Sequence, residues 1–469
     1  MTTINNSLST APAYRSYQLH QLDDIPGFRA LPPAIKESVQ LASQVFPFKI
    51  NNYLVDELID WNNVPDDPIF RLAFPLREML KPRDQEFLIE SSDSAARLSA
   101  ASNAIRRRLN PNPGDQKSNV PIFEGKPLEG VQHKYANTVL MFPAAGQTCH
   151  CHCSFCFRWS QFVGMKDEKF GCEDSARFFR YLASNPDVSD VLFTGGDPLV
   201  MSAARLESLV SPLIFDSRLA HVKNIRFGTK ALGFWPYRFI SDKDSDQLLR
   251  LFERAATAGK HVAVMAHFNH PRELETCAVK TAVGRILATG AIIRTQGPLL
   301  ANINNCAKLW HDLWQKQLAL GLVPYYMFME RDTGAHDYFA VPIARALDIY
   351  QSALRSLSGL ARTVRGPVMS TSPGKIEVLG RLNISGREYF SLRFIRARKE
   401  AWEHRQFLAD YSPTARWIDE LSPALNEKEF FFNERRDAMA PDYQEVINRI
   451  LAQDGGRGNE RLGLDRVSG

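Results

Sequence analysis

Six short runs rich in apolar and β-branched residues recur along the middle of the chain and limit its fold more than any other feature. They are TVLMF (138–142), DVLFTGG (190–196), NIRFGT (224–229), HVAVMAHF (261–268), AIIRTQGPLL (291–300) and PYYMFM (324–329). Between them lie stretches with apolar residues at helical spacing, such as EDSARFFRYLAS, DSDQLLRLFERAATAG, ETCAVKTAVGRILATG, NCAKLWHDLWQKQLALG and IARALDIYQSALRSLSG. A strand joined to the next by a crossover helix pairs with it in parallel, and a parallel sheet needs helices over its faces. The pattern therefore predicts an α/β fold, a parallel barrel or open sheet, with its chemistry at the C-terminal ends of the strands.

The flanks read differently. Residues 1–115 are expected to form a mainly helical N-terminal domain, loose over its first 20 residues. LPPAIKESVQLASQVFPFKINNYLVDELIDW, PLREMLKP and SAARLSAASNAIRRRL are its helical stretches, broken at prolines. NPNPGDQKSNVP (110–121) reads as a loop. Residues 401–469 read as amphipathic helices around Pro413, Pro423 and Pro441, suited to packing on another subunit, with a disordered tail. A 469-residue chain with 44% hydrophobic residues can bury one large domain and a flanking one. Its 57 basic and 52 acidic residues are interspersed, which argues against a nucleic-acid or membrane surface. With no long apolar run and no signal-peptide core, the expected location is the cytoplasm.

Chemistry concentrates in TCHCHCSFCFRW (148–159), where Cys149, Cys151, Cys153 and Cys156 crowd together while Cys172, Cys277 and Cys306 stand alone. Thiolates this close repel unless a cation holds them. The trio Cys149, Cys153 and Cys156 offers three sulfurs at x3, x2 spacing. A cube closed by protein alone uses four, so three leave one iron open to a ligand. A zinc knuckle using His150 or His152 and a reactive thiol cluster are the competing readings. In LFTGGDPL (192–199), Gly195 and Gly196 let backbone approach a ligand, and Asp197 can accept from an amine or a ribose hydroxyl. NIRFGTK adds Arg226 and Lys230 at the next strand end, as partners for a carboxylate or as a solvated turn.

The three-cysteine loop, followed by an aromatic residue and Arg158, resembles the signature of the radical S-adenosylmethionine enzymes. HKYANTVLMF, TCHCHCSFCFR, VLFTGGDPL, HFNHPRE, TQGPLL with Asn302 and Asn304, and PYYMFM follow in the order found in the lysine 2,3-aminomutase family, over roughly residues 130–400. The resemblance implies a partial (β/α)6 TIM-like radical SAM barrel over 130–345, a pyridoxal-phosphate lysine segment over 346–400 and a C-terminal extension. It implies an intramolecular aminotransferase, an aminomutase moving an amino group from the α to the β carbon of an amino acid. The cofactors it implies are a [4Fe-4S] cluster on Cys149, Cys153 and Cys156, S-adenosyl-L-methionine and pyridoxal 5'-phosphate. An electron donor such as flavodoxin or ferredoxin and a homo-oligomeric state go with it.

Residue by residue, the resemblance gives Gly195, Gly196, Asp197, Arg226, Lys230 and Gln296 to the cofactors. Lys375 in STSPGKIEV becomes the lysine that carries pyridoxal phosphate, although the loop before it is shorter than the family's glycine run. Arg158 becomes the partner of the substrate carboxylate. His267, Asn269 and His270 are open between core and site. Lysine-specific members place two aspartates at the distal end of the substrate, and Arg331 and Ser370 stand at those two places here, with Glu330 and Asp332 beside the first. A cation there favours an acidic or neutral side chain over lysine. A radical enzyme working without pyridoxal phosphate, one that epimerises, and a non-catalytic cluster- or zinc-binding protein of the same fold are the alternatives.

Overall fold

The structure is a computed structural model and describes residues 11–111, 119–165 and 168–433. Its frame is an eleven-stranded sheet whose strands follow one another in chain order. β1 (Val131–Tyr135) is an antiparallel edge on β2 (Thr138–Met141). From β2 the sheet runs in parallel through β3 (Asp190–Phe193), β4 (Asn224–Thr229), β5 (His261–His267), β6 (Ile292–Leu299), β7 (Val323–Met329) and β8 (Arg365–Ser370). β9 (Gly374–Ile384), β10 (Arg387–Ala397) and β11 (Gln406–Asp410) then turn antiparallel. The two edge strands do not pair with each other, so the barrel stays open.

All six expected strands are present, as β2 to β7. Helices cross between them, including α5 (Ser175–Ala183), α6 (Ala203–Phe215), α7 (Ser245–Thr257), α8 (Cys277–Leu287), α9 (Ala307–Ala319) and α10 (Ile343–Arg355). Local chemistry starts several of them. Asp174 accepts from the Arg177 amide at 2.9 Å, and Thr276 from Val279 at 3.2 Å, each relieving an orphan first-turn donor. α7 buries Leu248, Leu249, Leu251, Phe252 and Ala255, the stripe its period predicts.

The period of two in the strands places the site. Ile225 and Phe227 on β4, and Ile293, Thr295 and Leu299 on β6, are buried, and Thr295 donates to Gln317 of the covering α9 at 2.6 Å. The alternate residues Arg226, Gly228, Gln296 and Pro298 are half-buried and line an internal cavity. One set holds the helices on, and the other builds the binding surface.

The N-terminal region is mainly helical as expected, with α1 (Pro33–Ala42), α2 (Pro68–Ala73), α3 (Pro82–Glu90) and α4 (Ala95–Arg108). PLREMLKP makes only one turn, at Arg77–Met79. Its residues belong to the same hydrophobic core as the barrel strands, from Tyr17 and Phe70 through Phe227 to Phe394. The helices expected from residue 401 are corrected by the structure: β11 and single turns at Glu400–Trp402 and Ile418–Glu420 occupy that stretch. Aromatic residues there cluster against the sheet, Phe407 of β11 lying tilted to Phe394 of β10 and edge-on to Phe431. The expected helix and tail beyond 433, and residues 1–10, lie outside the described residues; the part of the expected loose start that is described is instead held, Ser16–Tyr17 pairing antiparallel with Ile50–Asn51.

Candidate active site

A cavity of about 600 Å³ opens at the C-terminal ends of the parallel strands, and it collects every residue singled out for cofactor or substrate binding. Cys149, Cys153 and Cys156 line it together with Gly195, Gly196, Asp197, Arg226, Lys230, Gln296, Arg158, Arg331, Ser370 and Lys375.

The cysteine loop leaves β2 and folds between the barrel and the N-terminal helices. Burial pushes the thiols of Cys149 and Cys153 well above their ordinary value, and neighbouring thiols add to it, so these sulfurs ionise only if a cation compensates them. Among the described residues no three His, Cys, Asp or Glu side chains converge tightly enough for a single metal ion. Zinc bonds of about 2.3 Å would draw three thiolates together. The corners of an iron–sulfur cube hold them farther apart, and cysteines sharing one cavity wall without converging fit that donor set. Cys151 is buried, and its thiol donates to the His152 carbonyl at 3.5 Å. His150 sits edge-on to Tyr14, and His152 stacks on Phe162 at 4.8 Å.

At the end of β3, Gly195 has a positive φ of 141°, and a Cβ there would lie 2.2 Å from Gln147 Nε2. A Cβ on Gly196 would come 2.3 Å from the Thr148 carbonyl oxygen. Only glycines let this turn pack beneath the cysteine loop. The Asp197 carboxylate is already engaged: it accepts from Thr229 Oγ1 at 2.7 Å and from the Leu199 and Lys230 amides at 2.9 Å. Burial raises its pKa to about 6 against those bonds. Asp197 is thus a brace between two strand ends, and what the turn offers a ligand is backbone.

Lys230 is spent in the same way. Its ammonium donates to Glu273 Oε1 at 2.6 Å, to Asn269 Oδ1 at 2.9 Å and to the His267 carbonyl at 3.3 Å, filling its three donors. His270 accepts from the Arg272 amide at 3.3 Å, and Asn269 gives its Oδ1 to Lys230 while its Nδ2 is buried without a partner, though away from the cavity wall. His267 differs. Burial lowers its pKa well below the ordinary value, and its Nε2 is buried on the cavity wall without a hydrogen-bond partner. Arg158 Nη1 is also buried without one. Such atoms are where a bound ligand completes the bonding.

Lys375 opens β9 directly across from Ser370 on β8. The hairpin between them is short and held from outside: Lys134 donates to the Thr371 carbonyl, and Arg398 Nε to Ser372 O at 2.9 Å. The Lys375 amine lies over Tyr326 at 4.7 Å and Phe328 at 5.7 Å. Burial, then the Arg226 and Arg396 guanidiniums, lowers its pKa to about 8. Arg226 donates to Asp190 at 2.7 Å, so it belongs to the lysine's end of the cavity. Lys134, Arg396 and Thr371 were not anticipated from the sequence; Arg396 stands directly across from Lys375 on β10, and Lys134 reaches the hairpin from β1, so no local spacing announces them.

Arg158 and Arg331 both face the Phe157 ring, at 5.1 Å and 5.3 Å. Burial, partly offset by Cys156 and reinforced by Arg331, lowers the pKa of Arg158 to about 9. Glu330 is buried, with its pKa raised to about 7 by desolvation, and its Oε2 meets His336 Nδ1 at 3.0 Å.

An open parallel barrel with a three-cysteine loop and a glycine turn at its mouth is the arrangement that the resemblance to the radical S-adenosylmethionine proteins implies. Within that class the chain resembles the lysine 2,3-aminomutases in sequence. It is 29% identical over 411 residues to a protein of Aquifex aeolicus (strain VF5) described as a "Putative L-lysine 2,3-aminomutase", covering 87% of this chain and 97% of that one. It is 26% identical to the L-lysine 2,3-aminomutase of Methanococcus maripaludis, over 70% of this chain and 65% of the relative. For the Escherichia coli (strain K12) L-lysine 2,3-aminomutase the identity is 24%, over 70% and 84%. No family model matches the chain. A radical SAM methyltransferase from Sphaerobacter thermophilus superposes with a TM-score of 0.34 at 16% identity, covering 50% of this chain and 66% of that one. A radical SAM family of this kind implies a [4Fe-4S] cluster and S-adenosylmethionine. No helix among the described residues is long and apolar enough to cross a membrane.

Proposed function

We propose that the chain is a pyridoxal-phosphate-dependent amino acid 2,3-aminomutase whose substrate carries an acidic or neutral side chain. The observation that carries this reading is Lys375: an amine with its pKa lowered to about 8 faces the same cavity as the cysteine trio. A lysine so depressed is partly neutral near physiological pH and can attack a carbonyl. Bound there, the cluster and S-adenosylmethionine would supply hydrogen-atom abstraction, and pyridoxal phosphate the conjugated ring that carries the migrating nitrogen.

The chain's own residues hold and shield. Arg158 is placed to take the α-carboxylate, its unpartnered Nη1 leaving a donor for it. Tyr326 and Phe328 wall off Lys375 from water. Arg226, Arg396 and Lys134 make that end cationic, which suits a phosphate.

The charge balance of the wall supports a substrate other than lysine. Its carboxylates among the described residues are Asp190, Asp197 and Glu330, and each already has a protein partner: Arg226, Thr229 and His336. A substrate's second ammonium would find no uncommitted acid and would meet Arg331 instead. Reconstituted, reduced protein incubated with each common amino acid should give β-isomers of acidic or neutral polar residues, detected by mass spectrometry after derivatisation. Faster conversion of lysine, unaffected by Arg331→Ala, would refute the substrate assignment. Borohydride trapping should place the pyridoxyl group on Lys375, and a label elsewhere would refute its role.

A further inference from the structure

The cysteine loop is held from outside the barrel by the N-terminal region. Tyr14 Oη donates to the His150 carbonyl at 3.0 Å, and Asn51 Nδ2 to the same oxygen at 3.2 Å and to Phe234 O at 2.8 Å. The Ser154 amide donates to Leu72 O at 2.9 Å, and its hydroxyl to Arg71 O at 2.5 Å. Lys49 grips the loop twice: its own carbonyl accepts from the His152 amide at 2.9 Å, and its ammonium donates to Cys149 O at 2.8 Å and approaches Thr148 Oγ1 at 3.4 Å.

Charge makes this grip unusual. Two lysines act on the cysteine loop, Lys230 and Lys49. Lys230 is neutralised by the fully buried Glu273 at 2.6 Å. Lys49 is half-buried, its bonds go to a carbonyl and a hydroxyl, and the ionisable groups that act on it are the thiols of Cys149 and Cys151. A cation withdrawn from water without a carboxylate wants an anion nearby, and three thiolates on an iron–sulfur cube supply one. The potential of such a cube depends on the charge and hydrogen bonding around it.

We propose that Lys49 is a positioning residue that fixes the cysteine loop and raises the electron affinity of the cluster the loop would hold. The inference rests on the cluster assignment to Cys149, Cys153 and Cys156. An adjacent positive charge favours the reduced, more negative state of the cube.

The test is a redox titration of reconstituted full-length protein, without S-adenosylmethionine, followed by electron paramagnetic resonance. Lys49→Met should keep its iron and move the midpoint to more negative potential, by about tenfold in the reduction equilibrium, or 59 mV for one electron. Lys49→Arg, which keeps the charge, should stay near the parent. A Met variant with full iron and an unshifted midpoint would overturn the inference, as would an Arg variant that falls as far as Met. If the Met variant does not fold, Lys49→Gln carries the same measurement. Parent protein that takes up no cluster overturns the underlying assignment along with the inference, whereas a loaded parent with an unshifted Met variant overturns the inference alone.

Discussion

Cys151 and its neighbours differ in what their sulfurs can do. Cys151 is 2% exposed and its proton is engaged by a carbonyl, while Cys149, Cys153 and Cys156 are only half-buried and reach the cavity. Cys151→Ala should therefore retain the iron and sulfide of the parent after reconstitution, and Cys149→Ala should lose them. The opposite pattern would remove the trio. For Lys375 the sign of the shift sets a pH dependence. Its pKa is lowered from 10.5 to about 8 because burial disfavours the ammonium. The neutral amine is then about half populated near pH 8 and falls tenfold for each unit below. Attachment of pyridoxal phosphate to apo-protein should speed up with pH and level off near 8 rather than near 10.5, as read by trapped pyridoxyl label. Arg226→Gln should move the plateau upward, since it removes a repelling guanidinium and frees Asp190 to stabilise the ammonium. A plateau unmoved by that change would show that the cation does not reach the lysine.

At the scale of elements, the end of β4 is tied to the loop after β5 by Lys230 and the fully buried Glu273. Removing one partner of such a pair leaves an uncompensated buried charge and costs about 3–5 kcal/mol. Lys230→Met should destabilise the apo-protein by about that amount in urea, and adding Glu273→Leu should return part of it. If Lys230 were instead a free cofactor ligand, the single variant would keep its stability and lose only cofactor affinity. The difference marks what a sequence can carry. Strands β2 to β7 and the cysteine and glycine turns were legible because period, composition and spacing are local. Glu273 stands 43 positions from Lys230, and no motif announces that pairing. Likewise Lys49 and Cys149 are 100 positions apart. The hairpin of β9 and β10 did leave a local trace, the alternation in REYFSLRFIRA after Ser385-Gly386. The stretch from 401 misled because its closely spaced aromatic residues mimic a helical stripe, whereas tertiary packing lays them on a sheet.

For the whole molecule, the question is whether the N-terminal helices unfold apart from the barrel. One hydrophobic core runs through both, joining Ile69, Phe70 and Ile105 to Phe227, Trp310 and Ile376. Ion pairs also span them, Lys81 with Asp337 at 3.0 Å near the surface and Asp67 with Arg272 inside: Asp67 is fully buried, caps α2 through the Phe70 amide at 2.8 Å, and is met by Arg272, which also donates to the Leu58 carbonyl. Detaching the helices would strip the cysteine loop of its outer holds, expose the core and leave Asp67 uncovered, so the open barrel should gain nothing from unfolding in two stages. Apo-protein in urea should lose far-ultraviolet ellipticity and tryptophan fluorescence in coincident transitions, because Trp61 reports the N-terminal region and Trp310 and Trp314 the barrel. Arg272→Ala removes the partner of a buried carboxylate, but Arg272 is itself 30% exposed, which discounts the loss to about 2–3 kcal/mol. Its effect should be a lower midpoint with the two probes still coincident and the slope unchanged. An early transition seen by only one probe, and moved alone by Arg272→Ala, would show that the helices are a separate folding unit and that the barrel holds the cysteine loop without them.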